Sequence, residues 1–382
     1  SNREFKTYTK VEDHLRSLGL KVTTGIAHTG VVAILKGGKP GPLVALRADM
    51  DGLPVTEMTG LSFASAQTDT YNGQEVGVMH ACGHDAHVAI LMGVAEFLTS
   101  VRDELAGSVM FIFQPAEEGA PVGEEGGAKL MLKEGIWKTN KPDVIFGLHV
   151  TNAPHGIIGY REGPFMAASD AWKFTIKGRQ AHGSTPWESI DPIMVAFQIG
   201  NNIQTIISRK LNLTESPAVI SVGSIHGGVR SNIIPDVVEM EGTIRTFDPA
   251  IREQIFIELR KIAETTAAMA GATVEVLLPN GDNYPVTVND PDLTQRVLPT
   301  LRDIVGKDMV YRSGRSMGAE DFSFFAQQVP GFYFYLGVNK IGADLASTAG
   351  NHSPLFIIDD GALPVCVKAL AHLTIEYLNG GM

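Results

Sequence analysis

The chain has 382 residues, 44% hydrophobic and 19% charged, a globular balance with enough length for two domains that each bury a core. Its 31 basic against 42 acidic residues leave a net charge of −11, which argues against nucleic acid or an anionic membrane as partner but permits a locally basic pocket. Two cysteines, Cys82 and Cys366, exclude a disulfide framework, and no apolar run reaches the roughly 18 residues of a membrane span.

In chain order, the opening Ser1-Asn2 lacks a methionine, so an exported, processed form stays open beside the cytoplasmic location expected. Residues 3–19 read as a helix stopped by Gly19. Residues 20–24, 31–36 and 43–47 read as strands, with a Gly/Pro-rich turn at 37–42. The third strand runs into Ala48-Asp49-Met50-Asp51-Gly52, where open α/β sheets place ligands. Taken alone, a solvated turn explains Asp-x-Asp-Gly better. Residues 56–78 read as a polar loop.

Residues 80–87 then gather His80, Cys82, His84, Asp85 and His87 ahead of an apolar helical pattern. Cys82 and His84 would diverge on a regular helix, so they converge only from an irregular turn, for which Gly83 has the freedom. A helix is expected to start near Asp85, and a thiolate with an imidazole at such a start makes half of a metal site. Residues 108–113 read as a buried strand that delivers Glu117 and Glu118, a costly pair to bury without a cation. A glycine-rich helix start at 123–127 and a strand at 144–148 follow, the strand delivering His149. Carboxylates or imidazoles thus follow three predicted strands at their C-terminal ends.

From Ser169 the order becomes βαββαβ, that of a ferredoxin-like module, with helices at 191–209 and 249–270. Residues 169–282 are therefore expected as an insert, joined by linkers at 164–168 and 283–285, in a catalytic domain of residues 1–168 and 283–382. Helices at 291–305 and 320–328, a strand at 332–336, Asn351-His352-Ser353-Pro354 and a helix at 361–378 complete the chain. The donors Cys82, His84, Glu117, Glu118, His149 and His352, with Asp49 and Asp51 beside them, suffice for two cations. One glutamate would bind and the other act as a base on a water acidified by the cation, which points to amide or ester hydrolysis.

Leu46-Arg47-Ala48-Asp49-Met50-Asp51-Gly52-Leu53-Pro54, His80-Ala81-Cys82-Gly83-His84-Asp85 and Gln114-Pro115-Ala116-Glu117-Glu118-Gly119 resemble the signature blocks of the M20 metallopeptidase family. Gly147-Leu148-His149, Ser231-Asn232-Ile233-Ile234-Pro235-Asp236, Met317-Gly318-Ala319-Glu320-Asp321-Phe322 and Asn351-His352-Ser353 are similar to its amidohydrolase branch, which includes hippurate hydrolase, N-acyl-amino-acid deacylases and auxin-conjugate hydrolases. The resemblance implies a zinc-peptidase-like α/β catalytic domain, its mixed sheet flanked by helices, with a ferredoxin-like α+β lid and dimerisation domain inserted. It implies two divalent ions per subunit, zinc or manganese with cobalt admitted, on Cys82, His84, Glu118, His149 and His352, Cys82 standing in for a bridging carboxylate. By the same resemblance Glu117 is the general base, Asp51 and His182 assist catalysis, and Asn232, Arg245 and Glu320 contact substrate. The implied substrate is an N-acyl amino acid; the alternative is a metallo-carboxypeptidase or dipeptidase acting on short peptides. A homodimer through the insert is implied as well.

Two departures stand out. The chain begins after the family's usual N-terminal helix with its His-x-x-Pro-Glu-Leu block, and Ala181-His182-Gly183-Ser184-Thr185-Pro186-Trp187 carries Trp187 where the branch more often has a second histidine. The acyl preference is left open by that tryptophan. Gly314-Arg315-Ser316-Met317-Gly318 also fits a serine-hydrolase elbow, with His352 and Asp359 as partners, but leaves the other donors unexplained. A non-catalytic metal- or peptide-binding relative is the third class, against which stands the complete set of donors and base.

Overall fold

The structure, a computed structural model, describes residues 1–281 and 283–380; the expected insert boundary at Asp282 falls outside them. The chain forms two compact units, one of Ser1–Gly163, Val288–Gly314 and the chain from Asp321 onward, the other of Pro164–Thr287 with Arg315–Glu320.

The first unit is built on an eight-stranded mixed sheet. Its spatial order is Lys21–Ile26, Gly30–Lys36, Ala106–Gln114, Lys39–Asp49, Val144–Thr151, Gly331–Gly337, Ile158–Tyr160 and Val310–Arg312. The four strands from 106–114 to 331–337 run parallel to one another, the pairings that directly flank them are antiparallel, and Val310–Arg312 pairs parallel with Ile158–Tyr160. Central strands are buried on both faces, which is why Val109–Phe113 and Phe332, Phe334 and Leu336 read as nearly unbroken apolar runs. Helices Phe5–Ser17, His84–Ser100, Pro291–Val305 and Leu363–Leu378 bury Val11, Val94, Val297 and Leu373 in the same core. Cys366 is in that core too, where burial raises its thiol pKa.

One polar network is sealed beneath the strand ends. Arg47 donates to Asp49 Oδ2 at 2.6 Å, Gln114 Oε1 at 2.9 Å and Asp321 Oδ1 at 2.8 Å. Gln114 Nε2 and the Ala128 amide donate to Asp321 as well, each at 2.7 Å. The buried guanidinium is thus matched by two carboxylates, the condition under which buried charge is tolerated.

In the second unit a four-stranded antiparallel sheet runs in the order Ala218–Gly227, Val237–Thr246, Ala168–Lys177, Thr273–Leu277. Helices Pro192–Arg209 and Pro249–Met269 pack on it through Ile199, Ile203, Ile255 and Leu259 against Trp172, Phe174 and Ile176. Each helix starts with a side-chain cap, Asp191 or Asp248, followed by proline at its first position. This is the βαββαβ module. A separate two-stranded ribbon pairs Ala181–His182 with Ile233–Ile234.

Local differences from the sequence reading have identifiable causes. The strand expected at 43–47 begins at Lys39, because the Gly/Pro segment forms an irregularity in the pairing with 106–114 instead of a turn. The polar loop at 56–78 contains a hairpin, Thr68–Tyr71 with Gln74–Gly77, turning on Asn72-Gly73 at φ 50° and 76°. The helix expected at 320–328 is only Phe322–Ala326. No helix among the described residues is long and apolar enough to cross a membrane.

Candidate metal centre

Gly83 ends the 80–83 turn at φ 92°, and a Cβ there would lie 2.4 Å from Val150 Cγ2. Glycine is therefore required twice over, by conformation and by space. Helix His84–Ser100 starts directly after it, one residue before Asp85. Cys82 is left facing strand Val144–Thr151, whose His149 brings Nε2 to 3.3 Å from Cys82 Sγ. His352 Nε2 lies 3.2 Å from the same sulfur and 3.0 Å from Glu118 Oε1. Donor atoms of Cys82, His84 and His149 lie within 4.8 Å of one another, as do those of Cys82, Glu118 and His352. The two sets share Cys82.

Backbone partners fix how the rings present themselves. His84 Nδ1 meets the Asp51 carbonyl at 3.0 Å, and His149 Nδ1 meets the Val150 carbonyl at 2.6 Å. A carbonyl only accepts, so Nδ1 carries the proton in both rings and Nε2 offers its lone pair to the site. His84 Nε2 is buried with no hydrogen-bond partner among the described residues. An orphaned imidazole nitrogen, a thiol and carboxylates converging in this way fit a divalent cation.

Asp51 organises the glutamates. Its Oδ1 accepts from the Glu117 amide and its Oδ2 from the Glu118 amide, each at 3.0 Å, and Ser1 Oγ donates to Oδ2 at 2.8 Å. The turn that delivers them bends at Ala116, φ 52°. Glu117 Oε2 lies 3.9 Å from His84 Nε2, and His84, Glu117 and Glu118 form a third close set of donors.

Electrostatics put Cys82 in its ligating form, whereas the imidazoles that face it carry charge and must give up a proton before Nε2 can bind a cation. Burial opposes ionisation of Cys82, yet His149 and His352 bring its pKa down to about 5, and thiolate is the ligating form. Burial likewise opposes charge on His149, but the Cys82 thiolate lifts it to about 9; hydrogen bonds to Cys82 and Glu118 lift His352 to about 10. Burial would raise Asp51, but its bond with His84 holds it at about 2.

His87, Arg47, Asp321 and Asn351 are groups that sequence reasoning did not assign to the site. His87 Nε2 accepts from the Val150 amide at 2.9 Å and Nδ1 faces Asp49 Oδ1 at 2.5 Å, so both nitrogens of this ring are engaged. Only its helical spacing from His84 could have suggested it.

Four other expected residues belong to the second unit. His182 and Asn232 share the ribbon, where the Gly183 amide donates to the Asn232 carbonyl at 2.9 Å. His182 is exposed, and its Nδ1 accepts from the Ser184 amide at 3.1 Å. Arg245 lies on the four-stranded sheet, half-buried, bonded to Ser169, Thr243 and the Ile244 carbonyl. Burial depresses its pKa. Glu320 is buried, and its carbonyl accepts from Thr287. The serine-hydrolase alternative loses its acid: Asp359 pairs with His155, Nδ1 to Oδ2 3.2 Å, while His352 faces Cys82.

The model of peptidase family M20/M25/M40 matches residues 45–376. The chain belongs to this family. It is 42% identical to thermostable carboxypeptidase 2 of Saccharolobus solfataricus, over 99% of this chain and 92% of that protein. It is 39% identical to an N-acetylcysteine deacetylase of Bacillus subtilis, over 92% and 86%. The crystal structure of a Bacillus subtilis dinuclear metal-binding peptidase of the M20 family superposes with a TM-score of 0.79 at 34% identity, over 98% of this chain and 92% of that one. This M20 chain is accordingly a hydrolase of amide or peptide C–N bonds.

Proposed function

We propose that this M20 enzyme hydrolyses the amide of N-acyl amino acids, with two divalent cations on Cys82, His84, Glu118, His149 and His352 and with Glu117 as general base. The observation that carries the proposal is the pair of donor sets that share Cys82. When bound, the cations supply Lewis acidity that acidifies a water and polarises the amide carbonyl. Glu117, close to His84 yet outside both Cys82 sets, takes the proton of the attacking water and delivers it to the departing amine. Asp51 orients His84 and both glutamate backbones. His182 stabilises the oxyanion, Asn232 and Arg245 hold the α-carboxylate, and Glu320 completes the substrate contacts. Arg245 suits its role because its hydrogen bonds go to hydroxyls and a carbonyl and not to a carboxylate. The thiolate favours zinc; imidazole and carboxylate donors admit manganese or cobalt. The second unit acts as lid and dimerisation module, so the working form is a homodimer.

The carboxypeptidase reading is favoured by the 42% identical relative. Chemically the two readings meet: both substrates present an amide one carbon from a free carboxylate, and they differ in the size of the acyl side. The test compares kcat/KM for N-acetyl and N-benzoyl amino acids with that for N-blocked tripeptides, before and after chelation. Expected is faster cleavage of the simple acyl substrates, lost on chelation and restored by zinc or manganese. Preference for the tripeptides would replace the deacylase reading by the carboxypeptidase one, and activity that survives complete stripping would overturn both.

A further inference from the structure

Asn351 precedes His352, and its side-chain amide donates two hydrogen bonds, to the Cys82 carbonyl at 2.9 Å and to the Val150 carbonyl at 3.1 Å. These acceptors lie 269 and 201 positions away, on the turn that carries Cys82 and on the residue after His149. One NH2 group thus links the segments that supply Cys82, His149 and His352.

The Val150 peptide is the node of this arrangement. Its carbonyl accepts from both Asn351 Nδ2 and His149 Nδ1, and its amide donates to His87 Nε2. The orientation that turns His149 Nε2 toward Cys82 therefore depends on the same oxygen that Asn351 holds. A second observation concerns His352 itself. Its φ is 69°, a left-handed conformation that few residues with a Cβ adopt, histidine more readily than most. Two bonds hold it here: the His352 amide donates to the Ala81 carbonyl at 2.7 Å, and Asn351 is anchored one residue earlier. Without Asn351 this residue would be free to leave the left-handed region and carry Nε2 away from Cys82 and Glu118.

We infer that Asn351 is a positioning residue for the metal centre: it sets the mutual placement of Cys82, His149 and His352 without being a donor itself. The inference rests on the dinuclear reading above. Two variants separate hydrogen bonding from packing. Asn351→Asp keeps the shape but points oxygens at two carbonyls; Asn351→Ala removes the group.

The probe is cobalt(II), added to metal-stripped protein and followed by its thiolate charge-transfer absorption and by competition with a chelator. Wild-type protein should take up two ions. Both variants should bind cobalt about 10–100-fold more weakly, the range for loss of an orienting partner of a metal ligand, with Asn351→Asp the weaker binder. Their charge-transfer band should shift or fade, while the melting temperature of the metal-free protein stays near that of wild type. Variants that match the wild-type affinity and spectrum would overturn the positioning role and leave the dinuclear reading intact. Variants that fail to fold without metal would make Asn351 a fold anchor, which overturns it too. A wild-type protein that never exceeds one cobalt defeats the underlying reading instead.

Discussion

At Glu117 and Glu118 two like residues are given unlike surroundings by a single turn. Both amides are tied to Asp51, yet Glu118 Oε1 comes within 3.0 Å of His352 Nε2, while Glu117 is buried on the His84 side. Glu117→Gln keeps size and polarity but cannot accept a proton. It should retain both metals and lose about 10²–10⁴-fold in kcat, with KM little changed. Glu118→Gln should lose metal affinity and regain part of its activity at high metal concentration. Metal content and kcat for both variants check the assignment, and a metal-deficient Glu117→Gln would reverse the roles. At this scale the sequence is legible where chemistry is concentrated: Cys82, His84 and the two glutamates stand out because ordinary packing has no use for them. Asn351 does not stand out, and Asp51 gains its role only from the family resemblance, since an amide and a carboxylate in a turn look the same whether they cap a loop or orient a ligand.

Among the elements, the strands 39–49, 106–114 and 144–151 end at one edge of the sheet and so bring Asp49, Asp51, Glu117 and His149 to neighbouring positions. Apolar runs and the helices between them make this parallel order readable from sequence. Periodicity misses the hairpin at 68–77, because strand Thr68–Tyr71 is exposed throughout and has no apolar alternation to detect; Asn72-Gly73 is its only mark. The Arg47 network is hidden for another reason, since Arg47 and Asp321 lie 274 positions apart. It nevertheless anchors the strand that ends at Asp49. Arg47→Met would leave two buried carboxylates without their cation, at a cost of about 3–5 kcal/mol. The urea midpoint of metal-free protein measures this, and a loss below about 1 kcal/mol would mean that Asp49 and Asp321 find other compensation.

For the molecule as a whole, the proposed dimer makes a claim that mixing experiments decide. If His182 serves the partner's metal centre, a His182→Ala subunit and a Glu117→Gln subunit, each inactive in its own dimer, rebuild one complete site when mixed. Partial recovery of activity on subunit exchange is the expected result. No recovery despite exchange proven by mass labels would assign His182 to its own subunit. The chain order of the first unit also bears on synthesis. Strand Val144–Thr151 pairs with Gly331–Gly337, and the whole of Pro164–Thr287 lies between them in sequence. On the ribosome the second unit can therefore finish folding while the first still shows a bare parallel edge along Val144–Thr151. Cys82, His84, Glu118 and His149 are all made by then, but His352 is not, so the nascent chain holds an unfinished site until residue 352 has emerged.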